Sequence, residues 1–188
     1  MGKQLYVGIG GKAKKIKKVY VGINGKAKKV KKVYVGVNGK AKLCYTGESE
    51  LTKVSNPAEL SKSRESLGAT TIGNYALFGG GNTDSKRVDA YDTSLTRSTP
   101  TALSVGRQAL AATTVGNYGL FGGGGSSSST SSKLNVVDAY NTSLTRSTPT
   151  VLSTARIQLA ATTVGNYALF GGGTSGYSSV VVDAYTVE

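Results

Sequence analysis

AATTVGNYGLFGGG, residues 111–124, decides the reading of this chain. ATTIGNYALFGGG at residues 69–81 and AATTVGNYALFGGG at residues 160–173 are near-copies of it. Each copy is followed by VDAY, at Val88, Val137 and Val182, and each is preceded by an arginine, Arg64, Arg107 or Arg156, eleven residues before the Tyr of GNY. Repetition at a spacing of 43 and 49 residues points to stacked supersecondary units rather than one irregular domain.

Each unit reads as about four short strands. Ala-Thr-Thr-Val is the first. Tyr-Ala-Leu-Phe is the second, apolar on consecutive positions as a strand covered on both faces is. The glycine triplet ends it where a side chain would not fit or φ must be positive. Val-Val-Asp-Ala-Tyr is the third. The segment around Thr-Pro-Thr-Val-Leu is the expected fourth, since proline suits an edge. The first two units continue as DTSLTRSTPTALS and NTSLTRSTPTVLS, but the last stops at Val187-Glu188. A matching segment, Leu51 to Arg64, lies ahead of the first unit. It is expected to complete the last sheet and so remove an exposed edge.

These residues resemble the kelch family, whose hallmarks are an apolar strand ending in paired glycines and a following V-x-x-Y segment. Leu77 to Gly80, Leu120 to Gly123 and Leu169 to Gly172 carry the first hallmark, and Val88 to Tyr91, Val137 to Tyr140 and Val182 to Tyr185 the second. The Trp that usually follows the Tyr is missing; Leu95 and Leu144 stand nearest its place. The resemblance implies an all-β fold of kelch-like four-stranded blades, used for binding. There are three blade equivalents, the last completed by an N-terminal strand. Three readings of closure stand: a triangular prism within one chain, a shortened version of a longer protein, or, in preference, a homo-oligomer that covers the apolar blade faces, as when two chains pool their blades into a six-bladed ring.

Ahead of the units lies a different polymer. Residues 1–45 hold thirteen lysines and no acid, while the rest of the chain holds ten basic and ten acidic residues. The net charge of +13 therefore belongs to the arm alone. Tyr6, Tyr20 and Tyr34 mark a fourteen-residue repeat: YVGIGGKAKKIKKV, YVGINGKAKKVKKV, YVGVNGKAKLCY. Asn24-Gly25 and Asn38-Gly39 are two-residue hairpin turn signals, with Gly10-Gly11 at the equivalent place. Fourteen residues are also two heptads, but Gly22 and Gly25 would each cost about 1 kcal/mol inside a helix. The expected domains are thus a lysine-rich β-hairpin arm, 1–47, and a kelch-like β-repeat domain, 48–188. The layout resembles kelch-containing proteins of phages of Gram-positive bacteria, which carry similar N-terminal repeats. That resemblance suggests a virion component.

Function classes narrow by composition. Histidine is absent, removing the commonest general base, and one cysteine, Cys44, makes neither a disulfide nor a zinc site. No Gly-Lys is followed by Ser or Thr, so none is a phosphate-binding loop. No catalytic residue, cofactor or metal is expected. The N-terminus shows no signal-peptide core, and no apolar run approaches the roughly 18 residues of a membrane span.

Between the glycine triplet and VDAY the units differ: NTDSKR, GSSSSTSSKLNV and TSGYSSVV. Variable loops on one face of a repeat array are where recognition is expected. Asn82, Asp84, Lys86, Lys133, Asn135 and Tyr177 are the candidate ligand-binding side chains, in a mixture suited to carbohydrate. The recurring Arg and Asp of each unit read either as a channel-lining ring or as internal ion pairs; the second is preferred. Lys12, Lys14, Lys15, Lys26, Lys28, Lys29 and Lys40 are the candidate docking residues of the arm. The leading expectation is a non-enzymatic virion structural or attachment protein, assembled in the host cytoplasm. Its arm would bind other virion proteins and its loops a host-surface glycan or protein. A cytoplasmic protein- or nucleic-acid-binding scaffold is the alternative, and a carboxylate-only glycan hydrolase the least favoured.

Overall fold

Alternating β-branched, aromatic and glycine residues leave little for helices to use, and the computed structural model is all-β. It describes residues 6–9, 12–16, 18–46, 51–82, 86–126 and 132–187. Two compact units divide the chain, Met1–Ser55 and Asn56–Glu188, so the composition break at residue 47 falls inside the first.

Among the described residues the first unit holds three hairpins. β1 (Tyr6–Ile9) pairs with β2 (Lys12–Lys15), β3 (Tyr20–Ile23) with β4 (Lys26–Lys29), and β5 (Lys32–Val37) with β6 (Lys40–Thr46), all antiparallel. Asn24 and Gly25 have φ of 51° and 73°, and Asn38 and Gly39 of 51° and 71°. Positive φ at both central residues matches the right-handed twist of the flanking strands, which is why Asn-Gly stands here. Gly10 and Gly11 lie outside the described residues. In the last hairpin the register shifts between Val33 and Tyr34, a bulge that sets one extra residue against its partner.

The second unit holds three antiparallel sheets. The first is β7 (Gly68–Ile72), β8 (Tyr75–Gly79), β9 (Val88–Tyr91) and β10 (Arg97–Ser98). The second is β11 (Ala111–Val115), β12 (Tyr118–Gly122), β13 (Val137–Asn141) and β14 (Arg146–Ser147). The third is β15 (Ala160–Val164), β16 (Tyr167–Gly171) and β17 (Val182–Tyr185). Each is a meander in sequence order. The first strands of neighbouring sheets lie side by side, β7 by β11 and β11 by β15.

The core lies between sheets. Ile72, Leu77 and Ala90 of the first sheet bury Phe121 and Tyr140 of the second. Val115, Leu120 and Ala139 of the second bury Phe170 of the third, with Tyr185 beside it. In each sheet the Phe meets the Tyr of VDAY edge to face, at 5.7, 5.8 and 5.9 Å between ring centres. Such pairs add about 0.5–1.5 kcal/mol beyond their buried area.

Two expectations about strands need correction. The fourth strand is not the Thr-Pro segment but the dipeptide before it, Arg97–Ser98 or Arg146–Ser147. Proline has no N–H to continue the ladder, so pairing stops short of it. The N-terminal segment does not complete the last sheet, which has three strands with β17 at its edge. Pro57, Ala58 and Leu60 instead line one apolar cavity with Phe78 and Tyr91 of the first sheet. The repeat explains this: Ser61, Ser104 and Ser153 each donate their backbone N–H to the aspartate of the sheet that follows, Asp89, Asp138 and Asp183. Such a segment belongs to the sheet after it.

Candidate functional site

Arg64, Arg107 and Arg156 are buried, and each ion-pairs with the aspartate of its own unit. Arg64–Asp89 and Arg107–Asp138 stand at 2.7 Å and Arg156–Asp183 at 2.5 Å. Each arginine also donates to the carbonyl of the strand phenylalanine, Phe78, Phe121 or Phe170, at 3.0–3.1 Å. One guanidinium thus ties the incoming segment to the second and third strands, the planar fork serving two acceptors at once. A second arginine from the edge strand reaches two of the carboxylates: Arg97 to Asp89 at 3.3 Å and Arg146 to Asp138 at 2.9 Å. Sequence reading missed these edge arginines, although their constant offset of eight residues from the aspartate was available. The recurring charges are internal ties, not a channel lining.

Their electrostatics follow from burial and pairing. Burial acts to raise the Asp89 pKa, but hydrogen bonds from Ser61 and Arg64 and the Arg64 charge hold it below its ordinary value. Desolvation lowers the Arg107 pKa against the opposing pull of Asp138. Burial and the nearby Asp183 charge push the Tyr185 phenol up to about 12. Its hydroxyl donates to the Thr150 carbonyl at 2.9 Å.

The variable loops all leave the sheets after the second strand, where paired positive-φ glycines turn the chain: Gly80 and Gly81, Gly123 and Gly124, Gly172 and Gly173. Asn82 is exposed and its amide donates to Glu65 Oε1 at 2.8 Å, while its own Oδ1 accepts the Glu65 N–H. Lys86 is exposed, and its carbonyl accepts the Leu103 N–H. Asn135 is half-buried, its carbonyl accepting from Leu152. Lys133 is half-buried, and its ammonium stands 3.8 Å from where a Cβ on Gly176 would be. Tyr177, the next residue, is 90% exposed. The second and third loops therefore meet, bringing Lys133 beside the Tyr177 loop. Asp84 lies outside the described residues.

In the arm, Lys12, Lys26, Lys28 and Lys40 are exposed, and Lys29 is half-buried. Lys14 and Lys15 belong to β2, but their side chains lie outside the described set. Tyr20 and Tyr34 are exposed, and Tyr20 stands opposite Lys29 across its hairpin. Among the described residues no cluster of three or more acidic or sulfur groups could hold a metal, and no helix is long and apolar enough to cross a membrane.

No family model and no curated protein matches the chain. Among solved structures it is similar to YjhT, with a TM-score of 0.59 at 14% sequence identity. The superposition covers 85% of this chain and 50% of that one. At this identity the likeness concerns the fold alone. The chain spans half the length of the structure it matches.

Proposed function

We propose that the protein is a non-enzymatic binding component of a phage particle, with kelch-like sheets that present loops to a host-surface glycan and a basic arm that docks to the particle. The observation that carries this reading is the contrast between near-identical sheets and unlike loops. The charges of the repeat form internal ties, whereas Lys133 reaches the neighbouring loop at Gly176, next in sequence to exposed Tyr177. An exposed aromatic face on a loop that a cation reaches suits a sugar, whose C–H face stacks and whose hydroxyls need donors and acceptors. The test is a glycan array probed with the intact protein and with Tyr177→Ala and Lys133→Ala. Binding to a defined set of surface glycans, lost in both variants while thermal stability is unchanged, is the expected result. Binding indifferent to both residues would place recognition elsewhere, and cleavage of the glycan would replace the reading with a hydrolase.

A second reading of the arm rests on its exposed tyrosines among lysines. Those residues suit nucleic acid equally, through base stacking and phosphate neutralisation.

A further inference from the structure

The two junctions between neighbouring sheets are built alike. At each, a phenylalanine enters a glycine gap: the Phe121 ring comes within 2.8 Å of where a Cβ on Gly79 would stand, and Phe170 within 2.7 Å for Gly122. At each, threonines clasp. Thr114 Oγ1 donates to the Thr71 carbonyl and so accepts from Thr70, at 2.7 Å. Thr163 Oγ1 donates to the Thr114 carbonyl at 2.5 Å and accepts from Thr113 at 2.9 Å. At each, backbone joins backbone: Gly81 N–H to the Arg107 carbonyl at 3.0 Å, and Gly124 N–H to that of Arg156 at 2.9 Å.

The third sheet carries the receiving half of such a junction with nothing in it. A Cβ on Gly171 would meet only Val182, at 3.6 Å. Val164 is 59% exposed, where its counterparts Ile72 and Val115 are 1% and 3%. Val182 is 61% exposed, where Val88 and Val137 are fully buried. Thr162 and Thr163 are exposed, and Asp183 receives no second arginine among the described residues. The first sheet carries the entering half. Phe78 lines an apolar cavity of about 360 Å³ with Leu60, Tyr91 and Leu95, and Thr71, the counterpart of Thr114 and Thr163, is exposed.

The geometry points to a second copy of this chain as the occupant of both faces. The first sheet of one copy seats on the third sheet of the other, and the reverse, so that two chains close one ring of six sheets. Phe78 then enters the Gly171 gap, and Thr71 clasps Thr162 and the Thr163 carbonyl. The commitment to a copy of the chain itself rests on continuity with the two junctions already made. Both halves of the missing one are present and match the filled ones residue for residue. A head-to-tail contact closes into a ring or grows into a filament, according to its rotation. Sheet rings run from about four to eight members, so two copies fit and three do not. The inference is independent of what the loops bind.

The test is the mass of the 188-residue chain in solution by light scattering. Twice the 19.3 kDa of one chain is expected. Gly171→Leu fills the gap that Phe78 needs. Val164→Glu charges the receiving face, and Thr71→Arg blocks the clasp from the other side. All three positions are open in the single chain, so each variant is expected at 19.3 kDa with an unchanged β-type circular dichroism spectrum. Tyr177→Ala keeps the doubled mass. A wild-type chain at single mass at every concentration overturns the inference. So does a polymer larger than two, and so does a doubled mass that survives all three blocking variants.

Discussion

At the scale of single residues, the arginine–aspartate pairs decide most. Arg107 and Asp138 are both fully buried, so truncating one leaves the other charge in a dry site. Arg107→Ala is expected to destabilise the sheets by about 3–5 kcal/mol, read from urea unfolding midpoints. Arg146→Ala removes a partner whose side chain is a quarter exposed and is expected to cost under about 1 kcal/mol. Equal effects would mean the buried tie carries no special weight.

Acid should expose the same chemistry through Asp89. Its folded pKa lies below the unfolded value of 3.8, so the carboxylate stabilises the fold above that pH. That contribution is lost as pH falls through the folded pKa. Unfolding free energy measured downward from pH 5 is expected to fall along this limb, and Asp89→Asn should flatten it. At the alkaline end the sign reverses. Tyr185 is raised to about 12, so its contribution, complete below the unfolded value of 10.0, fades as pH rises through that interval.

At the scale of elements, Gly79 and Gly122, which end the second strands of the first two sheets, are packing residues. A Cβ on Gly122 would stand 2.7 Å from the Phe170 ring, which also meets Tyr185 edge to face. Gly122→Ala is expected to destabilise by about 1–3 kcal/mol through overpacking, measurable as a lowered melting temperature. The sequence showed that glycine was needed there but not why. Strand periodicity states that a position is small, while the neighbour that makes it so comes from a unit 49 residues away. The short edge strands were misplaced for a related reason. Two-residue strands leave no alternation to read, and the Arg-Ser pairs owe their pairing to a partner strand rather than to propensity.

At the scale of the whole molecule, charge separates the chain into an arm of one sign and a neutral array. Retention of the protein on an immobilised polyanion is expected to fall steeply with salt and to vanish when residues 1–45 are removed. Retention that survives removal would place the basic surface in residues 46–188, against their balance of ten basic and ten acidic residues.

The sequence by itself determined the repeats, the all-β character, the turns at Asn24-Gly25 and Asn38-Gly39, and the recurrence of one Arg and one Asp per unit. All of these are written in short-range pattern or in plain repetition. Only the tertiary structure decided which sheet each connecting segment serves, that among the described residues Asp89 and Asp138 hold two arginines while Asp183 holds one, and that the Lys133 and Tyr177 loops meet. Those depend on the step from one sheet to the next, set by ring-in-gap packing and threonine clasps between residues far apart in the chain. A repeat tells which residues are equivalent, but not which copies touch.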